Sequence, residues 1–287
     1  MMKRYACGVP ESAIFLECDG VRIAVSREGK GMPLVCLHAV GHGGGDFDAV
    51  TAALRDQVEV IRIDWPGQGR SGPDRVPASA ERYAQLLSQV LESLEVSNPV
   101  IIGNSIGGAA ALLYASRQPV RALVLCDSGG LVPVSALVRG MTHLFYRFFR
   151  AGERGAGWFA RAYAWYYRFL VLPSPAAAAQ RDRIIAAGPE CAAVLAQAWQ
   201  SFGEAGADLR GVAAAIQVPV WVAWSRSDRV IPLWMCRPAI RKIPDLRLTT
   251  FKGGHAAFLE KPEPFLQALL PLLGELSELQ GNAALAG

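Results

Sequence analysis

The chain predicts an α/β protein built on an eight-stranded, mostly parallel sheet flanked by helices. Three observations predict it. Eight short runs rich in branched residues recur along the chain, and beyond the first two they alternate with helix-length segments. One long stretch, residues 131–212, breaks the alternation and is helical in composition. Near-continuous apolar strands need helices on both faces to keep them from water, which is how parallel sheets are built.

The first two runs, Ala13–Glu17 and Val21–Ser26, lie close together around Cys18-Asp19-Gly20 and are expected to form a hairpin. The rest are Pro33–His38, Val58–Asp64, Pro99–Asn104, Arg121–Asp127, Pro219–Ser225 and Leu246–Phe251. Ser79–Glu95 places Tyr83, Leu86, Leu87, Val90, Leu91 and Leu94 on one helical face behind a serine cap. Ile106–Gln118 and Pro264–Leu273 are two further helices. Within 131–212, Pro133, Pro173, Pro175 and Pro189 are expected to divide the helical stretch into pieces. The organisation expected is a core over 1–130 and 213–275, a helical insertion over 131–212, and a frayed tail over 276–287.

Composition narrows the functional classes. The chain has 287 residues, enough for one large core with an insertion. It is 52% hydrophobic and 19% charged, the balance of a well-buried globular protein. No run of about 18 apolar residues occurs, so a spanning helix is not expected. The N-terminal residues, Met1–Gly20, show no apolar core of a secretion signal. Six cysteines are scattered without metal-ligand spacing, which points away from zinc and disulfides and toward the cytoplasm. The net charge of +4 is spread along the chain, so no nucleic-acid surface is expected.

The chemistry begins at Gly103-Asn104-Ser105-Ile106-Gly107-Gly108, a G-x-S-x-G that follows an apolar strand and precedes a small-residue helix. In that context Ser105 sits on a strained turn with its hydroxyl above the sheet, and the glycines relieve close backbone approach. A serine hydroxyl needs a base to take its proton. Of four histidines, His255 lies just past the last strand, on a glycine-permitted loop leading into the final helix. A carboxylate must then fix the imidazole tautomer. Asp228 follows the seventh strand and completes the chain order Ser, Asp, His. A surface ion pair with Arg226 or Arg229 is the plainer role for Asp228, and Asp127, at the end of the sixth strand, is the fallback acid.

These residues, with Leu37-His38-Ala39-Val40-Gly41, Asp64-Trp65-Pro66-Gly67-Gln68-Gly69 and Gly254-His255, resemble the α/β-hydrolase superfamily over about residues 20–275, with most likeness to its esterase, lactonase and meta-cleavage-product hydrolase branches. The resemblance implies the α/β-hydrolase fold with a helical lid inserted after the sixth strand. It also implies an oxyanion hole from the backbone N–H groups of Ile106 and of Val40, with Gly41 second. Ala39 stands where the family usually has glycine, and His42-Gly43-Gly44-Gly45 looks like a lipase-type loop shifted along the chain. Asp64 is expected to be structural, bonding N–H groups of its own turn.

Eleven aromatic residues lie between Phe145 and Phe169, interleaved with arginines. Phe149, Trp158 and Trp165 are expected to wall an apolar substrate pocket, with Arg147 available for a carboxylate. The competing roles are lid packing, a solvated helix face, or rest on a membrane surface. The function expected is hydrolysis of a carboxylic ester, thioester or lactone of a small-molecule substrate, without metal or cofactor. The alternatives are carbon–carbon bond hydrolysis of the meta-cleavage-product type, acyl transfer, and a non-catalytic ligand receptor.

Overall fold

The computed structural model describes residues 13–285, with side chains described as far as residue 278. The N-terminal reading that argued against a secretion signal falls mostly outside that range. The strands are β1 (Ala13–Cys18), β2 (Val21–Glu28), β3 (Pro33–Leu37), β4 (Glu59–Ile63), β5 (Val100–Asn104), β6 (Ala122–Cys126), β7 (Val220–Ser225) and β8 (Leu246–Phe251). They form one sheet in the order β1-β2-β4-β3-β5-β6-β7-β8. The pairs β1–β2 and β2–β4 are antiparallel, and the others are parallel. The hairpin turns on Asp19 and Gly20, both at positive φ (47° and 74°), the pairing that matches the right-handed twist of its strands.

The connection leaves β3 toward β4 on one side, while β5 returns on the other, with Leu37 opposite Gly103. Strand order therefore reverses between β3 and β5, and open α/β sheets bind ligands in the crevice beyond the strand ends at such a point.

The helices are α1 (Asp48–Leu54), α2 (Ala80–Ser93), α3 (Ile106–Ala115), α4 (Ala136–Glu153), α5 (Phe159–Tyr166), α6 (Ala178–Ser201), α7 (Arg210–Ala215), α8 (Leu233–Ile240), α9 (Ala257–Glu260) and α10 (Pro262–Leu285). Ser79 caps α2 by accepting the Arg82 N–H at 3.1 Å. In α3 every residue from Ile106 to Tyr114 is buried, so this helix lies inside the molecule rather than on its surface. None of the described helices is long and apolar enough to cross a membrane.

Two expectations about helix limits are corrected. Pro189 does not divide the insertion, because α6 runs through it. The missing N–H costs one helical bond, but Ile184, Cys191, Ala192, Leu195 and Trp199 bury the helix on either side of the break. The tail expected to fray after residue 275 is instead part of α10 as far as Leu285. Leu276 extends the buried stripe of Leu269, Leu272 and Leu273 by one more turn. On the exposed side Glu275 accepts a two-pronged bond from Arg247, and Arg121 donates to the carbonyl of Leu276.

Between β6 and β7 the chain leaves the sheet and returns at nearly one point. Leu209 N–H donates to the carbonyl of Gly130 at 2.8 Å, closing the base of the helical segment that holds α4, α5 and α6. After α5 the chain continues as a π-helical turn, Tyr167–Val171.

Candidate active site

Ser105 joins β5 to α3 at φ 54° and ψ −118°, a backbone that an L side chain adopts only under constraint. Its N–H donates to Cys126 O at 3.1 Å, and its carbonyl accepts the Gly129 N–H at 2.9 Å, so both sides of the strained residue are held by the end of β6. The flanking glycines are sterically required. A Cβ on Gly103 would lie 2.5 Å from the carbonyl oxygen of Gly107, and one on Gly107 would lie 2.4 Å from that of Leu37.

His255 stands on the loop after β8. Its Nδ1 lies 2.9 Å from Asp228 Oδ2, while Asp228 Oδ1 accepts the N–H groups of Val230 and Ile231 at 2.8 and 2.9 Å. The carboxylate thus faces the ring, and among the described residues neither Arg226 nor Arg229 pairs with it. His255 Nε2 is buried and has no hydrogen-bond partner among the described residues, leaving that nitrogen open for a proton. Burial works against a charged ring here, but Asp228, with Asp127 and Glu260 behind it, outweighs the burial and raises the His255 pKa above its ordinary value.

The fallback acid has a different place. Asp127 is fully buried and accepts Ser225 N–H at 2.7 Å, Ser225 O–H at 3.1 Å and Ala257 N–H at 3.4 Å, with no bond to a histidine. Burial, and then the Asp228 charge, push its carboxyl well above the usual carboxylate range.

Three buried groups that carried no distinct sequence signal hold this arrangement. Asn104 Nδ2 donates to the carbonyls of Cys126 and His255, both at 3.0 Å, tying the serine turn to the histidine loop. Glu260 accepts the Gly254 N–H and, at 2.8 Å, the Ser174 N–H; burial raises its pKa. The His255 N–H itself donates to Val171 O at 2.7 Å, so the end of the π-helical turn braces the same loop.

The loop after β3 supplies the other wall. His38 is buried and locked, with Nδ1 bonded to Ala39 O at 2.7 Å and Nε2 accepting the Trp65 N–H at 3.0 Å. Burial lowers its pKa, which suits a neutral ring in that role. Ala39 is not among the residues at positive φ, so glycine is not needed there. Gly41 N–H is already given to Gln68 Oε1 at 2.5 Å, and Gly44 N–H to Asp64 Oδ1 at 2.6 Å. The lipase-type reading of His42–Gly45 therefore loses the Gly44 donor, and the Gly41 N–H, the second candidate, is likewise already engaged. Asp64 also accepts the Arg70 N–H at 3.0 Å, in the structural role expected of it.

Ser105, His255, Val40 and Ala39 line one cavity of about 1000 Å³ counting its open mouth, between the strand ends and the helical insertion. Val138, Met141, Tyr166, Tyr167, Leu195 and Trp199 contribute from the insertion. His42 is a further wall residue; its Nδ1 lies 2.6 Å from Asp46 and its Nε2 3.0 Å from the Tyr167 hydroxyl. Among the described residues no lysine, arginine, aspartate or glutamate lines this cavity. Among the described residues no cluster of three or more His, Cys, Asp or Glu could hold a metal ion.

The four substrate-contact residues expected from sequence are not in that wall. Helix α4 turns Val138, Thr142, Phe145 and Phe149 inward, a spacing that leaves Arg147 on the exposed side. Phe149 is buried behind the wall, against Phe159, Tyr163, Tyr166 and Trp199. Trp158 and Trp165 are 53% and 56% exposed, because α5 directs Tyr163 and Tyr166 to the interior instead. Helical spacing within α4 and α5 was the signal available for these faces. For Trp199, with no aromatic cluster around it in sequence, there was none.

Comparison with known proteins agrees with this fold. A model of the alpha/beta hydrolase family matches residues 34–268. The uncharacterized protein Rv2715 of Mycobacterium tuberculosis is 27% identical over 288 residues, covering 90% of this chain and 80% of the relative. A thermophilic esterase from Thermogutta terrifontis superposes with a TM-score of 0.77 at 22% identity, over 92% of this chain and 99% of its own. Est816, described as an N-acyl homoserine lactone degrading enzyme, superposes with a TM-score of 0.70 at 25% identity, over 90% and 99%. With the strained serine turn, the reversal of strand order and the matched span in agreement, the chain belongs to the alpha/beta hydrolase family.

Proposed function

We propose that this hydrolase cleaves an uncharged carboxylic ester, thioester or lactone with a hydrophobic acyl part, through an acyl-enzyme on Ser105. The observation that carries the reading is the meeting, in one apolar cavity, of Ser105 with a histidine whose Nδ1 is held by Asp228 and whose Nε2 is free. Ser105 Oγ attacks the carbonyl carbon as His255 Nε2 takes its proton. The oxyanion forms against the N–H groups of Ile106 and Val40, donors worth about 10²–10³ each in rate. The carbon–oxygen or carbon–sulfur bond then breaks, and His255 returns the proton to the leaving group. Water attacks the acyl-enzyme by the same route in reverse roles and frees the acid and Ser105.

The lining favours this over carbon–carbon hydrolysis of a charged diketone acid, because among the described residues it is apolar and offers no arginine or lysine to hold the carboxylate. The likeness to Est816 supports including lactones. The test is labelling by a fluorophosphonate and turnover of p-nitrophenyl esters of rising chain length, for wild type and Ser105→Ala. Both signals should vanish in the variant, with turnover down roughly 10⁴–10⁶-fold. Labelling that survives the substitution, or its absence from folded wild type, would defeat the proposal.

A further inference from the structure

Trp158, Trp165 and Arg147 have no place in the cavity, yet they share a surface with side chains of the same character. Along α4, Leu137, Met141, Leu144 and Phe148 recur at one-turn spacing beside the buried stripe, with Leu137 and Leu144 more than two-thirds and two-thirds exposed (68% and 67%). Phe148 packs on Trp158 with ring centroids 5.8 Å apart. From Trp158 a second stripe follows α5 through Arg161 and Trp165 to Phe169, whose rings are 5.6 Å apart. Met141 belongs both to the first stripe and to the cavity wall, so the apolar surface reaches the cavity mouth. Exposed apolar side chains joined in this way mark a surface that meets something other than water.

The charge beside the stripes is of one sign. Arg147, Arg154 and Arg161 are exposed, and among the described residues none has a carboxylate within ion-pair distance. The acid between Phe145 and Phe169 is Glu153, and Arg150 holds it. Tryptophan and arginine around leucine form the composition that sits at the level of lipid headgroups, where rings straddle the interface and guanidinium groups meet phosphate.

We propose that this face of α4 and α5 docks on an anionic lipid surface, with the cavity mouth at its edge. The charge selects the occupant: a neutral apolar partner would leave three unpaired guanidinium groups at the contact, whereas anionic headgroups neutralise them. The proposal concerns binding and does not depend on the hydrolytic reading above.

The experiment is sedimentation of the full chain with vesicles of phosphatidylcholine alone and of phosphatidylcholine mixed with phosphatidylglycerol. Binding is expected to the mixed vesicles and to weaken with added salt. Arg147→Gln and Arg154→Gln should each weaken it about fivefold. Leu144→Ser with Trp165→Ser should abolish it and leave turnover of a soluble ester unchanged. Tryptophan emission should shift to the blue on mixed vesicles, and part of that shift should be lost in Trp165→Phe. Equal binding to both vesicle types, or none at low salt, overturns the proposal. So does self-association of wild type that the Leu144→Ser, Trp165→Ser variant abolishes without any vesicle binding, an outcome that makes the face a contact between copies of the chain.

Discussion

At the scale of single residues, two buried carboxylates compete for the same histidine, and geometry separates them. Asp228 bonds Nδ1 of His255, whereas both oxygens of Asp127 are spent on Ser225 and Ala257. Asp228→Asn should therefore reduce kcat by about 10⁴, through the wrong tautomer, while Asp127→Asn should stay within about tenfold of wild type, a loss far smaller than 10⁴; steady-state kinetics on a soluble ester checks both. As the proposed base, His255 must be neutral, and its pKa is raised, so turnover should fall as pH drops through a value above the ordinary one for histidine. Glu260 contributes to that rise, so Glu260→Gln should move the acid limb of the kcat/KM profile to lower pH. A limb that stays in place would make Glu260 a purely mechanical support. The strained turn at Ser105 was legible because its glycines answer a steric demand visible in six residues. The supports Asn104 and Glu260 were not. Asn104 meets the carbonyl of His255 across 151 positions, and Glu260 meets Ser174 across 86, and no local pattern encodes such a meeting.

At the scale of elements, α4 carries two faces with opposite duties. The inward face packs Phe149 against four rings of other helices, and Phe149→Ala should cost about 3–5 kcal/mol of stability in urea unfolding. Trp165→Ala, on an exposed face, should change stability by no more than about 0.5 kcal/mol. The strands were legible to within a residue or two because branched apolar runs bounded by turns leave little choice of element. The aromatic cluster of 145–169 was legible as helix but not as direction. Eleven rings exceed what one apolar face can bury, so density alone did not say which would line the cavity. Likewise the last helix was read too short, because the polar, alanine- and glycine-rich composition at the end of the chain reads as a tail, which Leu276 and the bond from Arg247 to Glu275 override.

At the scale of the whole molecule, the cavity exists only because sheet and insertion are assembled together. Its wall alternates between strand-end loops and insertion helices, and Val171 and Ser174 bond directly to His255 and Glu260. Core and insertion should then unfold in one calorimetric transition, with equal calorimetric and van't Hoff enthalpies; two resolved transitions would show that the braces are weak. The cavity wall was the least legible part of the sequence, since it depends on how distant elements face one another. The bond from Leu209 to Gly130 has a further consequence. Because the chain departs and rejoins within one hydrogen bond, the loop-closure cost changes little with the length of what lies between. The freedom to exchange that stretch is therefore bounded by its bonds from Val171 and Ser174 to the histidine loop, and not by the strand order of the sheet.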